Sequence, residues 1–400
     1  IVIAIVDEGF DLLHQDIYFQ KNYFEVPGNT LDDDGNGFTD DFYGWNATTH
    51  NDAITSNTHG THVSGIAGAI GDNGIGVAGV NWHVSILPII TDVVESQVIE
   101  AYTYVFSLRE LYNTTDGDKG YFIVATNSSF GIDLVSPDDY PLWCAMYDTL
   151  GKAGILSSAA TTNGNYNVDV VGDMPTACSS DYLISVTNTN KFDQLLSGGF
   201  GATTIDLGAP GTSVYSTIAG NSYGTQTGTS MSAPHIAGAV ALMMSGACTD
   251  FLDDYKTDPA ATILFIKQYI LESVDTLEDL EGVTVSGGRL NLYSALLKLA
   301  ESYCNDAIFD IQNNLIDVKI FPNPAVDKIF ISMNDKNYTR KLKAEIVNVL
   351  GEKIISTDYV SPHILKHEGL DITGNPGGTY LLSLYDENHI RVFSSGICLQ

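Results

Sequence analysis

Short apolar runs recur through the first three quarters of the chain, at residues 1–6, 84–90, 121–125, 154–160 and 182–187. They are continuous and rich in Val and Ile rather than alternating with polar residues, which is the pattern of strands covered on both faces. Segments of helical character lie between and after them: the Gly/Ala-rich stretches 61–70 and 232–244, and two closing helices over 261–274 and 290–302. Strand and helix signals in alternation predict an α/β domain with a mainly parallel sheet. After Cys304 the period changes to two, at residues 328–332, 343–349, 352–356 and 379–385. Turn chemistry separates these runs, as Pro322-Asn323-Pro324, Leu350-Gly351-Glu352 and Asn375-Pro376-Gly377-Gly378. A small all-β sandwich is therefore expected at the C-terminal end. The chain reads as an α/β domain over 1–302, a linker over 303–316 and a β-sandwich over 317–400.

Composition narrows the functional classes. The 400 residues carry 18 Lys+Arg against 49 Asp+Glu, a formal charge of −31. Such an excess excludes a nucleic-acid binder and a binder of anionic membranes. A hydrophobic share of 44% gives enough apolar surface to fold. The charge is uneven: residues 1–300 carry a net −27 and residues 301–400 a net −4. No apolar run reaches the roughly 18 residues of a membrane span, so no transmembrane segment is expected. The opening residues are a β-branched strand with no charged leader, so no signal peptide is visible and the chain reads as starting within a longer protein. Five cysteines form no C-x-x-C pair. Four of them could pair as Cys144–Cys178 and Cys248–Cys304 in an oxidising compartment, or remain thiols.

Three segments rich in small residues each present one polar side chain at the end of an element. Residues 3–9 end a buried strand on Asp7 and turn at Gly9; residues 58–69 set His59 at the start of a Gly/Ala-lined helix; residues 228–238 set Ser230 at a helix N-terminus, where free backbone N–H groups stabilise negative charge. Acid, base and nucleophile thus each have a candidate. No G-x-S-x-G elbow surrounds Ser230. The chain order Asp, His, Ser with these flanks resembles the subtilisin-like serine proteases, the subtilases, and Ala209-Pro210-Gly211 matches a further landmark of that family.

The resemblance covers roughly residues 1–300 and implies a three-layer α/β fold with a mainly parallel sheet. It also implies serine endopeptidase activity on polypeptide substrates and an inhibitory propeptide upstream. By the same resemblance Asn163, in Ala159-Ala160-Thr161-Thr162-Asn163, is the side-chain oxyanion donor, and Ser129-Phe130-Gly131 lines the first specificity pocket and pairs with the substrate backbone. Asp173, just before Met174-Pro175, falls near the pocket floor, where an acid favours Lys or Arg at P1; the alternative is a solvated loop aspartate. The histidines His14, His62 and His235 match positions of structural role. Glu8 departs from the hydroxyl residue usual after the aspartate.

Oxygen ligands at Asp32, Asp34 and Asn36, followed by Asp40 and Asp41, match the start of a calcium-binding loop, but Tyr43 stands where an EF-hand would place its closing Glu. The expectation is a structural calcium with a different closing ligand. Finally, residues 318–327 with Pro322-Asn323-Pro324, and the late strand Gly378-Thr379-Tyr380, resemble the C-terminal sorting domain of the type IX secretion system of Bacteroidetes. That resemblance implies the type IX machinery as a partner and a secreted or cell-surface location. The competing expectation is an inactive subtilase scaffold serving as an adhesin or binding protein.

Overall fold

The computed structural model describes residues 1–304, 318–333, 340–348, 353–376, 378–387 and 391–399. Two compact units are present, Ile1–Tyr303 and Cys304–Gln400. Most of the linker expected over 303–316 and the turn at 350–352 lie outside the described residues.

The first unit is built on β1 (Val2–Asp7), β2 (Trp45–Asn46), β3 (Ser85–Ile90) and β4 (Ile123–Ser128). After the short β5 (Ile132–Asp133) come β6 (Leu156–Ala160), β7 (Asp173–Met174), β8 (Leu183–Thr189) and β9 (Leu207–Pro210). A hairpin of β10 (Val214–Ile218) and β11 (Ser222–Gln226) stands apart, and β12 (Asp275–Thr276) and β13 (Gly288–Arg289) close the edge. The nine-stranded sheet runs β12-β13-β9-β8-β6-β4-β1-β3-β2 and is parallel except at β12–β13.

Helices cover both faces. They are α1 (Thr58–Gly68), α2 (Glu95–Thr114), α3 (Pro141–Lys152), the short α4 (Val168–Val171), α5 (Thr229–Gly246), α6 (Thr249–Thr257), α7 (Pro259–Glu272) and α8 (Leu292–Ser302). The period-2 geometry of β1 divides the core. Ile3 and Ile5 pack with Val63 of α1 and Ile236 and Val240 of α5, whereas Val2, Ala4 and Val6 pack with Val98 of α2 and Trp143 of α3. Asp7 continues the odd-numbered series, so its side chain leaves the sheet on the face that α1 and α5 cover. β3 and β4 flank β1 on opposite sides, and a crevice at the carboxyl ends of strands forms where the winding reverses.

α5 begins at Thr229 with Gly228 as N-cap, three residues before the Gly/Ala-rich stretch 232–244 and in keeping with Ser230 at a helix N-terminus. Ser230 therefore lies inside the first turn.

In the second unit, described strands are all paired antiparallel. Val318–Phe321, Lys328–Met333 and Leu370–Asp371 form one sheet, and Lys353–Ser356, Lys343–Asn348, Gly378–Tyr385 and Arg391–Leu399 form another. Ile329, Ile331, Ile346, Leu382 and Leu384 are fully buried between them.

Candidate active site

Asp7 is 2% exposed at the end of β1. His59 enters from the first turn of α1, whose N-cap Asn57 accepts the His59 backbone N–H at 2.8 Å, so capping falls to Asn57 and leaves the imidazole free. His59 Nδ1 donates to Asp7 Oδ1 at 2.8 Å and lies 3.0 Å from Oδ2. The helix can approach this closely because Gly60 has no side chain: a Cβ there would lie 2.3 Å from the Gly9 carbonyl and 3.0 Å from Asp7 Cβ. Burial works against a charged imidazole at His59. The charge and hydrogen bond of Asp7, with the charge of Glu8, outweigh it and raise the His59 pKa above its ordinary value.

Ser230 occupies the second position of α5, where backbone N–H groups have no intrahelical acceptor. Its hydroxyl donates to the Ser129 carbonyl at 3.1 Å, and no hydrogen bond joins it to His59 in this structure. Asn163 lies beside it after β6. Its Oδ1 accepts the Thr229 backbone N–H at 2.9 Å and lies 3.1 Å from the Thr229 hydroxyl, whose shorter bond, 2.5 Å, goes to the Thr161 carbonyl. With the carbonyl end committed, the NH₂ end of Asn163 is available to a cavity of about 190 Å³ that Asn163 and Ser230 both line.

Ser129, Phe130, Gly131 and Asp173 line the same cavity. Gly131 allows β5 and β7 to meet, since a Cβ would stand 2.1 Å from the Met174 carbonyl. That pairing sets Asp173 opposite Asp133. Asp173 is 1% exposed; its Oδ2 accepts the Thr161 hydroxyl at 3.0 Å, the Thr162 N–H at 3.1 Å and the Thr176 hydroxyl. Its Oδ1 is buried without a partner. Burial pushes the Asp173 pKa up to about 6, against the hydrogen bonds from Thr176, Thr161 and Thr162 and with a contribution from Asp133.

Three other histidines bond backbone carbonyls of the scaffold. His62 Nε2 lies 3.0 Å from the Val214 carbonyl, His14 Nε2 lies 2.9 Å from that of Ser222, and His235 Nδ1 lies 2.9 Å from that of Met231. Burial takes His235 down to about 4, so it is neutral at working pH.

The acidic loop departs in part from the expected ligand set. Asp34 and Asp41 are buried, and the amides of Asn22 and Asn36 bridge them at 2.7 to 3.2 Å. Burial pushes the Asp41 pKa up to about 7. Asp40 turns away: its carboxylate accepts the N–H groups of Asn29 and Thr30 at 3.0 and 2.8 Å. The group that sequence reasoning missed is Glu25. Its Oε1 accepts the Asp33 N–H at 2.8 Å, and its Oε2 is buried with no partner. Glu25, Asp32 and Asp34 each offer an oxygen within 4.8 Å of the others. Three converging carboxylates, one with an orphaned buried oxygen, fit a hard cation. Cys144 and Cys178, paired in the sequence expectation, form a disulfide, and Cys248 and Cys304 are disulfide-bonded as well.

Comparison with known proteins gives two family matches. The subtilase family model matches residues 1–287, and a secretion system C-terminal sorting domain matches residues 319–394. Subtilisin-like protease 1 of Plasmodium falciparum (isolate 3D7) is 27% identical over 333 residues, covering 76% of this chain and 45% of that protein. A thermophilic serine proteinase of Bacillus sp. (strain AK1) is 28% identical, covering 74% of this chain and 61% of that protein. The chain spans about half the length of the curated relatives it matches. Among solved structures, the prenylagaramide maturation protease PagA has a TM-score of 0.53 at 16% identity, over 75% of this chain and 94% of that one. The A-subunit of the AB5 toxin from E. coli has a TM-score of 0.54 at 20% identity, over 75% and 92%. At those identities the likeness concerns the fold.

Proposed function

The chain belongs to the subtilase family, and we propose that it is a serine endopeptidase that cleaves polypeptides through Asp7, His59 and Ser230. The observation that carries this reading is the buried Asp7 carboxylate receiving His59 Nδ1 at 2.8 Å, on the sheet face from which α5 presents Ser230. In the reaction Ser230 Oγ attacks the scissile carbonyl while His59 Nε2 takes its proton. His59 then protonates the leaving amine, and a water repeats the sequence to release the acyl group. Asp7 holds the tautomer with the proton on Nδ1 and stabilises the imidazolium. The Asn163 NH₂ and the Ser230 backbone N–H are the donors for the oxyanion.

For Ser230 to reach His59 its hydroxyl must leave the Ser129 carbonyl. That carbonyl belongs to the segment proposed to pair with substrate, so an arriving peptide N–H competes for the same acceptor and frees the nucleophile. The present Ser230–Ser129 bond also favours a second reading, an inactive scaffold acting as an adhesin or binding protein. Asp173, which lines the cavity with Ser129, Phe130 and Gly131 and has one buried oxygen without a partner, supports a preference for Lys or Arg at P1.

The sorting domain over 319–394 indicates secretion or display at the cell surface. The type IX machinery is its proposed partner, and an upstream propeptide the proposed inhibitor. Calcium is the proposed structural cation, held by Asp32, Asp34 and Glu25 with Asp41 and Asn36 beside them; bound there, it would offset carboxylate repulsion and fix the loop. Residues 317–400 are proposed as the sorting module that directs export and 1–302 as the peptidase.

The test is a peptide-library digest by the full chain and by Ser230→Ala. Internal cleavage by the wild type alone is expected. Internal cleavage by both proteins, or by neither when each is folded, would reject the peptidase reading.

A further inference from the structure

Arg109 sits near the end of α2 and is 2% exposed. Its hydrogen bonds go to neutral acceptors: Nε donates to Asn113 Oδ1 at 2.9 Å and Nη1 to the Ile123 carbonyl at 2.8 Å. Three rings surround the guanidinium carbon, Phe122 at 4.6 Å, Tyr255 at 5.3 Å and Tyr112 at 5.6 Å. Among the described residues it forms no ion pair, even though the chain carries 49 acidic side chains. A buried cation ordinarily has an anion beside it. Ring faces and a carbonyl supply part of that compensation, and a formal negative charge is missing.

The guanidinium borders a cavity of about 330 Å³, the size of a small-molecule site, whose walls are Tyr112, Phe122, Tyr255 and Leu252, with the exposed Lys256 at its rim. Asp116 also borders it without pairing to Arg109. The cavity lies at the start of β4, whereas Ser129 follows the other end of that strand, so roughly 17 Å of strand separates them. We propose that this cavity is a second ligand site that takes a carboxylate attached to an apolar group, with the Arg109 fork on the carboxylate and the rings on the apolar body. A planar fork suits two carboxylate oxygens, and apolar walls discriminate against small hydrated anions. The proposal goes beyond the peptidase reading and does not depend on it.

The probes are 3-phenylpropionate and 3-phenylpropionamide, which differ in charge and not in apolar body, titrated calorimetrically into full-length Ser230→Ala so that no turnover intrudes. A peptide acid, N-acetyl-Ala-Ala-Phe, tells a peptide C-terminus from a free acid by which of the two binds tighter. The acid is expected to bind at least about tenfold tighter than the amide. Arg109→Gln should abolish that difference. Should Arg109→Gln fail to fold, Lys256→Glu at the exposed rim should weaken the acid several-fold and Leu252→Trp should fill the cavity and remove binding. Equal binding of acid and amide, binding of neither, or acid binding unaltered by Lys256→Glu and Leu252→Trp overturns the proposal.

Discussion

Ser129 and Ser230 hold each other by two hydrogen bonds of opposite sense: the Ser129 hydroxyl donates to the Ser230 carbonyl at 2.8 Å, and the Ser230 hydroxyl donates to the Ser129 carbonyl at 3.1 Å. The first bond has a cause in the sequence. Pro234, four residues after Ser230 within α5, has no N–H, so the Ser230 carbonyl lacks its intrahelical donor and Ser129 replaces it.

That relationship gives a double-mutant test. Ser129→Ala should cost about 1–3 kcal/mol in denaturant unfolding, because it leaves a part-buried carbonyl unpaired. In the Pro234→Ala background the same change should cost clearly less, since the new N–H at 234 can serve the carbonyl. Equal costs in both backgrounds would show that Pro234 does not set the need for Ser129.

Substrate preference should depend on pH through Asp173. Its carboxyl, pushed up to about 6, is charged above that pH and neutral below it. The ratio of kcat/KM for P1 Arg over P1 Gln should fall as pH drops through 6, and dividing the two rates cancels the titration of His59. In Asp173→Asn the ratio should be low and flat. A ratio that stays high in the variant would remove Asp173 from P1 selection.

The acid limb of kcat/KM should report His59. The imidazole must be neutral to accept the Ser230 proton, so activity falls as pH drops through its raised pKa. The Glu8 charge contributes to that elevation, so Glu8→Gln should move the limb to lower pH with little change in the plateau. An unmoved limb would mean that Glu8 is electrostatically silent.

Oxyanion stabilisation should reside in Asn163. Asn163→Ala is expected to lower kcat by roughly 10²–10³ with KM nearly unchanged, the range known for the Asn donor of a subtilisin. Thr229→Val, which removes a hydroxyl proton shared between the Thr161 and Asn163 carbonyls and leaves the Thr229 N–H on Asn163, should lower kcat by less. A loss confined to KM would assign Asn163 to substrate binding instead.

Chelation should lower the Tm of the full chain if a cation holds the loop at Asp32 and Asp34. Glu25→Gln should reduce the shift, whereas Asp40→Asn should retain it, because Asp40 caps Asn29 and Thr30 instead. A chelator-insensitive Tm would reject the cation.

Legibility in the sequence followed how local each feature is. The parallel sheet was readable from continuous apolar runs; Asp7 was proposed as the polar end of such a run, and His59 and Ser230 as polar residues at the starts of small-residue helices. Asn163 and Asp173 came only through the resemblance to the subtilases, and the structure sets both on one cavity. Glu25 escaped because it lies seven residues before Asp32 and joins Asp34 only through a turn that bends back, with its Oε1 on the Asp33 and Asp34 N–H groups. Arg109 was silent because its surroundings come from α2, the start of β4 and α6, which no periodicity connects. The Ser129–Ser230 exchange needed both elements in place before the missing N–H of Pro234 could matter.

The most direct measurement is covalent labelling of the folded full chain with a fluorophosphonate, read by intact mass and peptide mapping. One adduct on Ser230 is predicted, absent in Ser230→Ala and strongly slowed in His59→Ala and Asp7→Ala. No adduct on the folded wild type, or equal labelling of Ser230→Ala, would contradict a peptidase built on Asp7, His59 and Ser230.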